Sequence, residues 1–252
     1  MRHQIHTGKL KLLLIFMFFL LLFCCEEKGK SVIEKDTRIV ILNTSNFTRT
    51  EIGNFIIEIN KCNPIVIGLT ETFPLQKGDK GDSSLAKSIK DSGKIILSAA
   101  ISSSDEIVRS HVLFTNAAKE QGVVSYIIGE DNIIEYFVPL YQNNEGQELN
   151  MSFNLYFAYD PENAASAFGK FIVNETYKIN YSRNRNSFVE LDPKDLSCDN
   201  IQDKIVILGY LGPDKTNMVT TPDGSQTYLT VVIATVLSNF LDQDPLIPMK
   251  ED

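Results

Sequence analysis

Short, wholly apolar runs recur along the chain between amphipathic stretches, and the alternation predicts strands and helices in turn. TRIVIL (37–42), IVIGL (65–69) and KIILSA (94–99) are continuous, the mark of strands covered on both faces. Between the first two, Thr48-x-x-Glu51 is a capping-box pattern, with Ile52, Phe55, Ile56 and Ile59 on one helical stripe. Between the second and third, the polar QKGDKGD loop leads into a helix capped by Asp82 or Ser83, carrying Leu85, Ala86 and Ile89 and stopped by Gly93. Strand, helix, strand, helix, strand predicts a parallel sheet.

The middle of the chain reads differently. A short helix is expected around 116–120, after which VVSYII and IIEYFVPLY flank the turn GEDN as an antiparallel hairpin at a sheet edge. Polar QNNEGQELN follows, then a helical stretch from Phe153 with Asp160-Pro161 as a second cap signal. KINY (178–181) and KIVILG (204–209) return to the buried-strand type. From Tyr228 to Asp242, Leu229, Val232, Ile233, Val236, Leu237, Phe240 and Leu241 recur at helical spacing. Their β-branched content lowers intrinsic helicity, so packing on the sheet must stabilise that helix. The prediction is a single three-layer α/β domain over 37–244, with a mostly parallel sheet, helices on both faces, an antiparallel hairpin at an edge, and a short tail at 245–252.

The N-terminus changes the picture. Arg2, Lys9 and Lys11 precede an apolar run of 14 residues, Leu12 to Cys25. A membrane-spanning helix wants about 20, whereas this length suits the core of an export signal. Cys24 and Cys25 end the run where a bacterial lipoprotein signal carries its lipidated cysteine. Phe23 departs from the small residue expected there, so Cys25 fits better than Cys24. Two acyl chains, at about 0.8 kcal/mol per buried methylene, suffice for stable anchoring. On this reading 1–25 is the signal, 26–36 a polar tether, and the membrane is a partner through the anchor. An uncleaved anchor and plain secretion are the alternatives.

The 252 residues are 43% hydrophobic and 22% charged, an ordinary globular balance. Three of the 24 basic residues and none of the 32 acidic ones precede Cys24, so the exported part carries 21 basic against 32 acidic, a net charge of −11. That excess excludes nucleic acid as a partner. Beyond the leader His111 is the only histidine, and no nucleophile elbow is present. Gly209-Tyr-Leu-Gly212-Pro-Asp-Lys215-Thr216 approaches a phosphate loop, but Asp214 stands where glycine is needed beside the lysine, and Pro222 and Gly224 follow where a helix should start. No catalytic residue, metal site or cofactor is expected. Cys62 and Cys198 each lie just before a predicted strand, at the same end of a parallel sheet. In an oxidising compartment they either pair or remain as separate buried thiols.

The order of segments resembles the second subtype of the CHASE sensory domains, the extracytoplasmic input modules of bacterial cyclases and histidine kinases. RIVIL is similar to that family's opening strand, VIGLTETF to its second, and DSSLAKSIKDSGKIIL to its Asp-x-x-Leu-Ala helix and following strand. KINYSRNRNSF, then DKIVILGYLGPDKTNMVTTPDG, then TYLTVVIATVLSNFL follow the family's closing motifs in order. Asp82, Thr221 and Pro222 match the pattern. Thr70, Asn217 and Ile233 depart from it, where an acidic residue, an Asp and a His are usual, which implies a changed or lost ligand. The family's domain is usually followed by membrane helices and an output module. This sequence ends at Asp252, so the resemblance implies a free-standing, membrane-tethered sensory domain acting through a separate partner.

In open α/β sheets ligands bind outside the carboxyl ends of the strands. That rule makes Asn43, Thr44, Thr70, Glu71, Asp214 and Asn217 candidates for holding a small ligand or a protein, and the resemblance adds Asp82 and Thr221. Two other roles stay open: a structural or adhesive surface lipoprotein, and a carboxylate-dependent hydrolase acting at the same strand ends.

Overall fold

The computed structural model describes residues 35–129, 132–213 and 218–249. Strand β1 (Asp36–Asn43) is followed by helix α1 (Arg49–Lys61). The expected box closes α1: the Thr48 hydroxyl accepts from the Glu51 amide, and the Glu51 carboxylate accepts from the Thr48 amide at 2.7 Å. Next come β2 (Val66–Leu69), α2 (Lys80–Ser92) and β3 (Ile95–Ile101). The cap of α2 is Asp79, not Asp82 or Ser83, because the Asp79 carboxylate takes the amides of Gly81 and Asp82 at 2.8 and 3.1 Å while Asp82 turns inward.

β4 (Ile107–Val108), α3 (Val112–Thr115) and β5 (Glu120–Val124) follow. The short helix sits earlier than 116–120: the His111 imidazole caps it, accepting from the Leu113 amide at 3.2 Å, and Glu120 already belongs to a strand. Then come β6 (Tyr126–Ile128), β7 (Ile134–Phe137), β8 (Leu140–Asn143) and β9 (Gly146–Leu149). α4 (Met151–Tyr159) and α5 (Pro161–Phe168) join at Asp160, which caps α5. The remainder is β10 (Tyr177–Lys178), β11 (Phe188–Leu191), α6 (Cys198–Ile201), β12 (Ile205–Gly209), β13 (Met218–Thr220), β14 (Gln226–Tyr228) and α7 (Leu229–Leu241).

The main sheet runs β11-β1-β12-β2-β3, with β5 parallel to β3 and the short β4 antiparallel to it. Since Ala100 pairs with both Val124 and Val108, β4 and β5 flank β3 on opposite edges, and β4 lies beyond the end of β2. The hairpin of β6 and β7 forms as expected, but in its own sheet with β10. Ser125 makes the break: its hydroxyl donates to the Val138 carbonyl at 2.6 Å and accepts from Asn150 at 3.1 Å, so β5 ends there. KINY stays out of the main sheet: of its four residues only Lys178 is in a strand, β10, antiparallel to β7. Polar QNNEGQELN holds most of a second hairpin, β8 with β9.

Alternation along each strand makes the layers. Val40, Leu42, Ile67, Leu69, Val206 and Leu208 face α1 and α2 with Ile52, Ile56, Leu85 and Ile89. Ile39, Ile41, Val66, Ile205 and Ile207 face α4 and α7. α7 is buried from Thr230 to Phe240, which is how a β-branched sequence is held helical. Its end is fastened to the start of β1. Arg38 bonds Asp36 and Asp242, Arg183 bonds Asp242, and Ser238 donates to Asp36 at 3.0 Å. Burial alone would raise the Asp36 pKa, but the bonds from Arg38 and Ser238 hold it below the usual carboxylate range.

On the opposite side of the sheet Cys62, at the end of α1, and Cys198, opening α6, form a disulfide across 136 positions. The bond joins the segments that enter β2 and β12, which are neighbours in the sheet.

Candidate functional site

The parallel strands deliver polar residues to one end of the sheet. Just past β1 and β2 the ladder continues through the Thr44 amide, which donates to the Gly209 carbonyl, and the Thr70 amide, which donates to that of Leu208, both at 2.9 Å. β12 lies between these strands. The buried Thr44 hydroxyl donates to Glu71 Oε1 at 2.8 Å, bridging over the end of β12. Asn43 Oδ1 accepts from the amides of Ser45 and Leu211 at 3.0 and 3.1 Å, fixing both chain exits. The Thr70 and Thr230 hydroxyls meet at 3.3 Å. Gly209 makes this approach feasible, since a Cβ there would lie 2.3 Å from each of those two oxygens. Burial pushes the Glu71 carboxyl above its ordinary range, and the Thr44 hydroxyl offsets only part of the rise. Among the described residues no Lys or Arg is within ion-pairing distance of it.

Beside this polar shelf opens a cavity of about 690 Å³, entered at the carboxyl ends of β2, β3 and β5. Thr70, Thr72 and Ser98 line the sheet side. Their groups are chained, Thr72 to Ser98 at 3.1 Å and Ser98 to the Thr70 carbonyl at 2.8 Å. Tyr126 and Ile134 of the β6–β7 hairpin, with Met218, Val219 and Leu229, form the opposite wall. Asp105 and Tyr141 stand at the Ser102–Asp105 turn, the Tyr141 hydroxyl donating to Asp105 Oδ1. Burial and the bond to Asp105 push the Tyr141 phenol up to about 12, so it stays a donor at neutral pH.

Of the residues expected at a ligand, Asn43, Thr44, Thr70 and Glu71 thus come together, and Thr70 also lines the cavity. Asp214 and Asn217 lie outside the described residues, as do Cys24 and Cys25. Asp82 is elsewhere, fully buried in the first turn of α2. Burial would raise its pKa, but Arg49 and the amides of Gly78 and Lys77 lower it by more. The Arg49 guanidinium rests 5.3 and 5.4 Å from the ring centres of Phe73 and Phe114 and donates to the Leu75 carbonyl at 2.7 Å. Asp82 thereby orders the loop between β2 and α2. Thr221 belongs to a rigid turn: its hydroxyl donates to Asp223 Oδ1 at 2.6 Å, its amide to the Ser225 carbonyl at 2.9 Å, and Gly224 takes φ +81°. The Thr221 and Ser225 bonds lower the Asp223 pKa to about 2. That turn borders a separate pocket of about 260 Å³ with Arg183, Arg185 and Thr227.

Thr72, Ser98, Asp105, Tyr141 and Thr230 went unread in the sequence. Applied to the third strand, the strand-end rule finds the Ser102–Asp105 turn. Tyr141 and Thr230 carried no signal, since only the fold brings them there. Among the described residues no cluster of three or more His, Cys, Asp or Glu is placed to hold a metal, and no helix is long and apolar enough to cross a membrane.

A mostly parallel α/β sheet with a cavity at its strand ends is the arrangement in which open α/β sheets receive ligands. Residues 32–252 match the CHASE2 domain, and the chain belongs to that family. CHASE2 domains are extracellular sensory domains and not a catalytic family. No curated protein and no solved structure matches the chain.

Proposed function

We propose that this protein is an extracytoplasmic sensory module that binds a small molecule in the strand-end cavity and passes its occupancy to a separate partner. The observation that carries the reading is the cavity of about 690 Å³ at the carboxyl ends of β2, β3 and β5. Its size falls within the range of about 300–1,000 Å³ usual for small-molecule sites. The Thr44–Glu71 bridge and the Thr70–Thr230 contact couple its rim to β1, β12 and α7, so that occupancy can be felt across the sheet. A stabilisation screen of small metabolites tests it. Hits are expected to raise the melting temperature of the wild-type chain and to lose their effect in Ala100→Phe, whose ring would occupy the cavity. Hits that stabilise both proteins equally, or no hit at all, would favour a scaffold or adhesive role.

The N-terminal basic and apolar segment supports membrane tethering, by a lipid on Cys25 or Cys24 or by an uncleaved anchor. Mass spectrometry of protein taken from its host's membranes distinguishes these. A diacylglyceryl mass on either cysteine supports the lipid, and a chain beginning at Met1 supports the uncleaved anchor.

A further inference from the structure

We propose that the strand-end cavity selects an organic cation with an apolar body, an amine seated with its ammonium at Asp105. The inference rests on the reading of the cavity as the ligand site and adds its chemical class. Most of the wall is apolar, from Ala100, Ile101, Val124, Ile134, Val138 and Leu229. The polar groups deep in it are already partnered. Ser125 donates to the Val138 carbonyl at 2.6 Å, and Thr72, Ser98 and the Thr70 carbonyl bond one another. The body of an occupant therefore meets a surface that offers it burial and few new hydrogen bonds.

The mouth is different. Asp105 is the only charged residue that lines the cavity among the described residues. The Tyr141 hydroxyl occupies Asp105 Oδ1, and no Lys or Arg is paired with this carboxylate there. The surrounding charges point the same way. Glu106 shares the turn, and Glu145 lies close enough to raise the Tyr141 pKa, after burial and Asp105. Arg109, just past β4, is held by Glu148 at 2.7 Å and Glu145 at 3.7 Å. Two tyrosines, Tyr126 and Tyr141, are in the lining, and an aromatic ring is a group on which a cation can rest. A carboxylate in the same place would meet Asp105 and, among the described residues, no compensating cation in the lining.

Three isosteric probes separate the class from the site: 4-phenylbutylamine, 4-phenylbutanol and 4-phenylbutyrate. They are titrated calorimetrically against the full chain in phosphatidylcholine nanodiscs, with empty nanodiscs subtracted. The amine is expected to bind three- to tenfold more tightly than the alcohol and more tightly still than the acid. Asp105→Asn, which keeps a residue tolerant of the φ +65° found there, should erase that preference and leave the alcohol unchanged. Ala100→Phe should abolish all three, and where it does not fold, Ser103→Trp at the exposed rim blocks the mouth instead. If the acid matches the amine, or Asp105→Asn leaves the preference intact while the blocking variants still abolish binding, the charge class is wrong and the site stands. If no probe binds, or the blocking variants bind as wild type does, the site reading fails and the proposal with it.

Discussion

Gly209 ends β12 where no side chain fits, and replacing it by alanine tests the packing of the whole strand-end shelf. A Cβ there would lie 2.3 Å from Thr70 Oγ1, 2.3 Å from Thr230 Oγ1 and 2.7 Å from Thr230 Cγ2. Neither threonine can simply turn away: Thr70 follows the β2 ladder, and Thr230 is buried in the first turn of α7. Overpacking of this kind costs about 1–3 kcal/mol, and separating the two hydroxyls adds about 1 kcal/mol. Gly209→Ala should therefore destabilise the domain by about 2–4 kcal/mol. The readout is urea unfolding of the wild type, Gly209→Ala, the double Thr70→Ala/Thr230→Ala variant, and all three changes together. Because the clash needs both partners, the triple variant should be more stable than the sum of its parts by more than about 1 kcal/mol. A Gly209→Ala protein within about 0.5 kcal/mol of wild type, or strict additivity, would refute the reasoning.

Other expectations follow from the same geometry. Replacing Cys62 and Cys198 by serine opens a cross-link spanning 136 positions, for which loop closure gives about 5 kcal/mol at most and a typical loss is about 2–5 kcal/mol; a chemical-denaturation difference under about 1 kcal/mol would contradict it. Glu71 has its carboxyl raised above the ordinary 4.5 by burial, so folding favours its protonated form. Its contribution is fully present below that value and is lost as pH rises through the folded one. Glu71→Gln should therefore unfold at higher urea than wild type at pH 7, with the gap closing below pH 4; a gap that widens toward acid would show the sign to be wrong. Thr227 Oγ1 is the one buried side-chain polar atom without a partner among the described residues, so Thr227→Val should gain about 1 kcal/mol, and a loss on thermal melting would mean that a bound water satisfies the hydroxyl.

The parallel core was legible because strands buried on both faces must be continuous apolar runs, and TRIVIL, IVIGL and KIVILG are such runs. β11 was not, since FVEL is short and follows a polar stretch. The QKGDKGD loop offers two aspartates three positions apart, either able to cap a helix. Only the Arg49 partnership of the second shows why the first does so. Asn43, Thr44, Thr70 and Glu71 could be read as strand-end residues from their place after apolar runs. The cavity could not, because β6, β7 and β13 reach it from separate parts of the chain.

The disulfide also bears on how the sheet could answer an occupant. It stitches the entrances of β2 and β12, the pair whose far ends carry Thr70 and Gly209. The pair is riveted at one end, and at the other it is held by the backbone ladder and the Thr70–Thr230 contact. On the proposed reading, a guest pressing on Thr70 would act at the end opposite that rivet, where Thr70 meets Thr230 of α7.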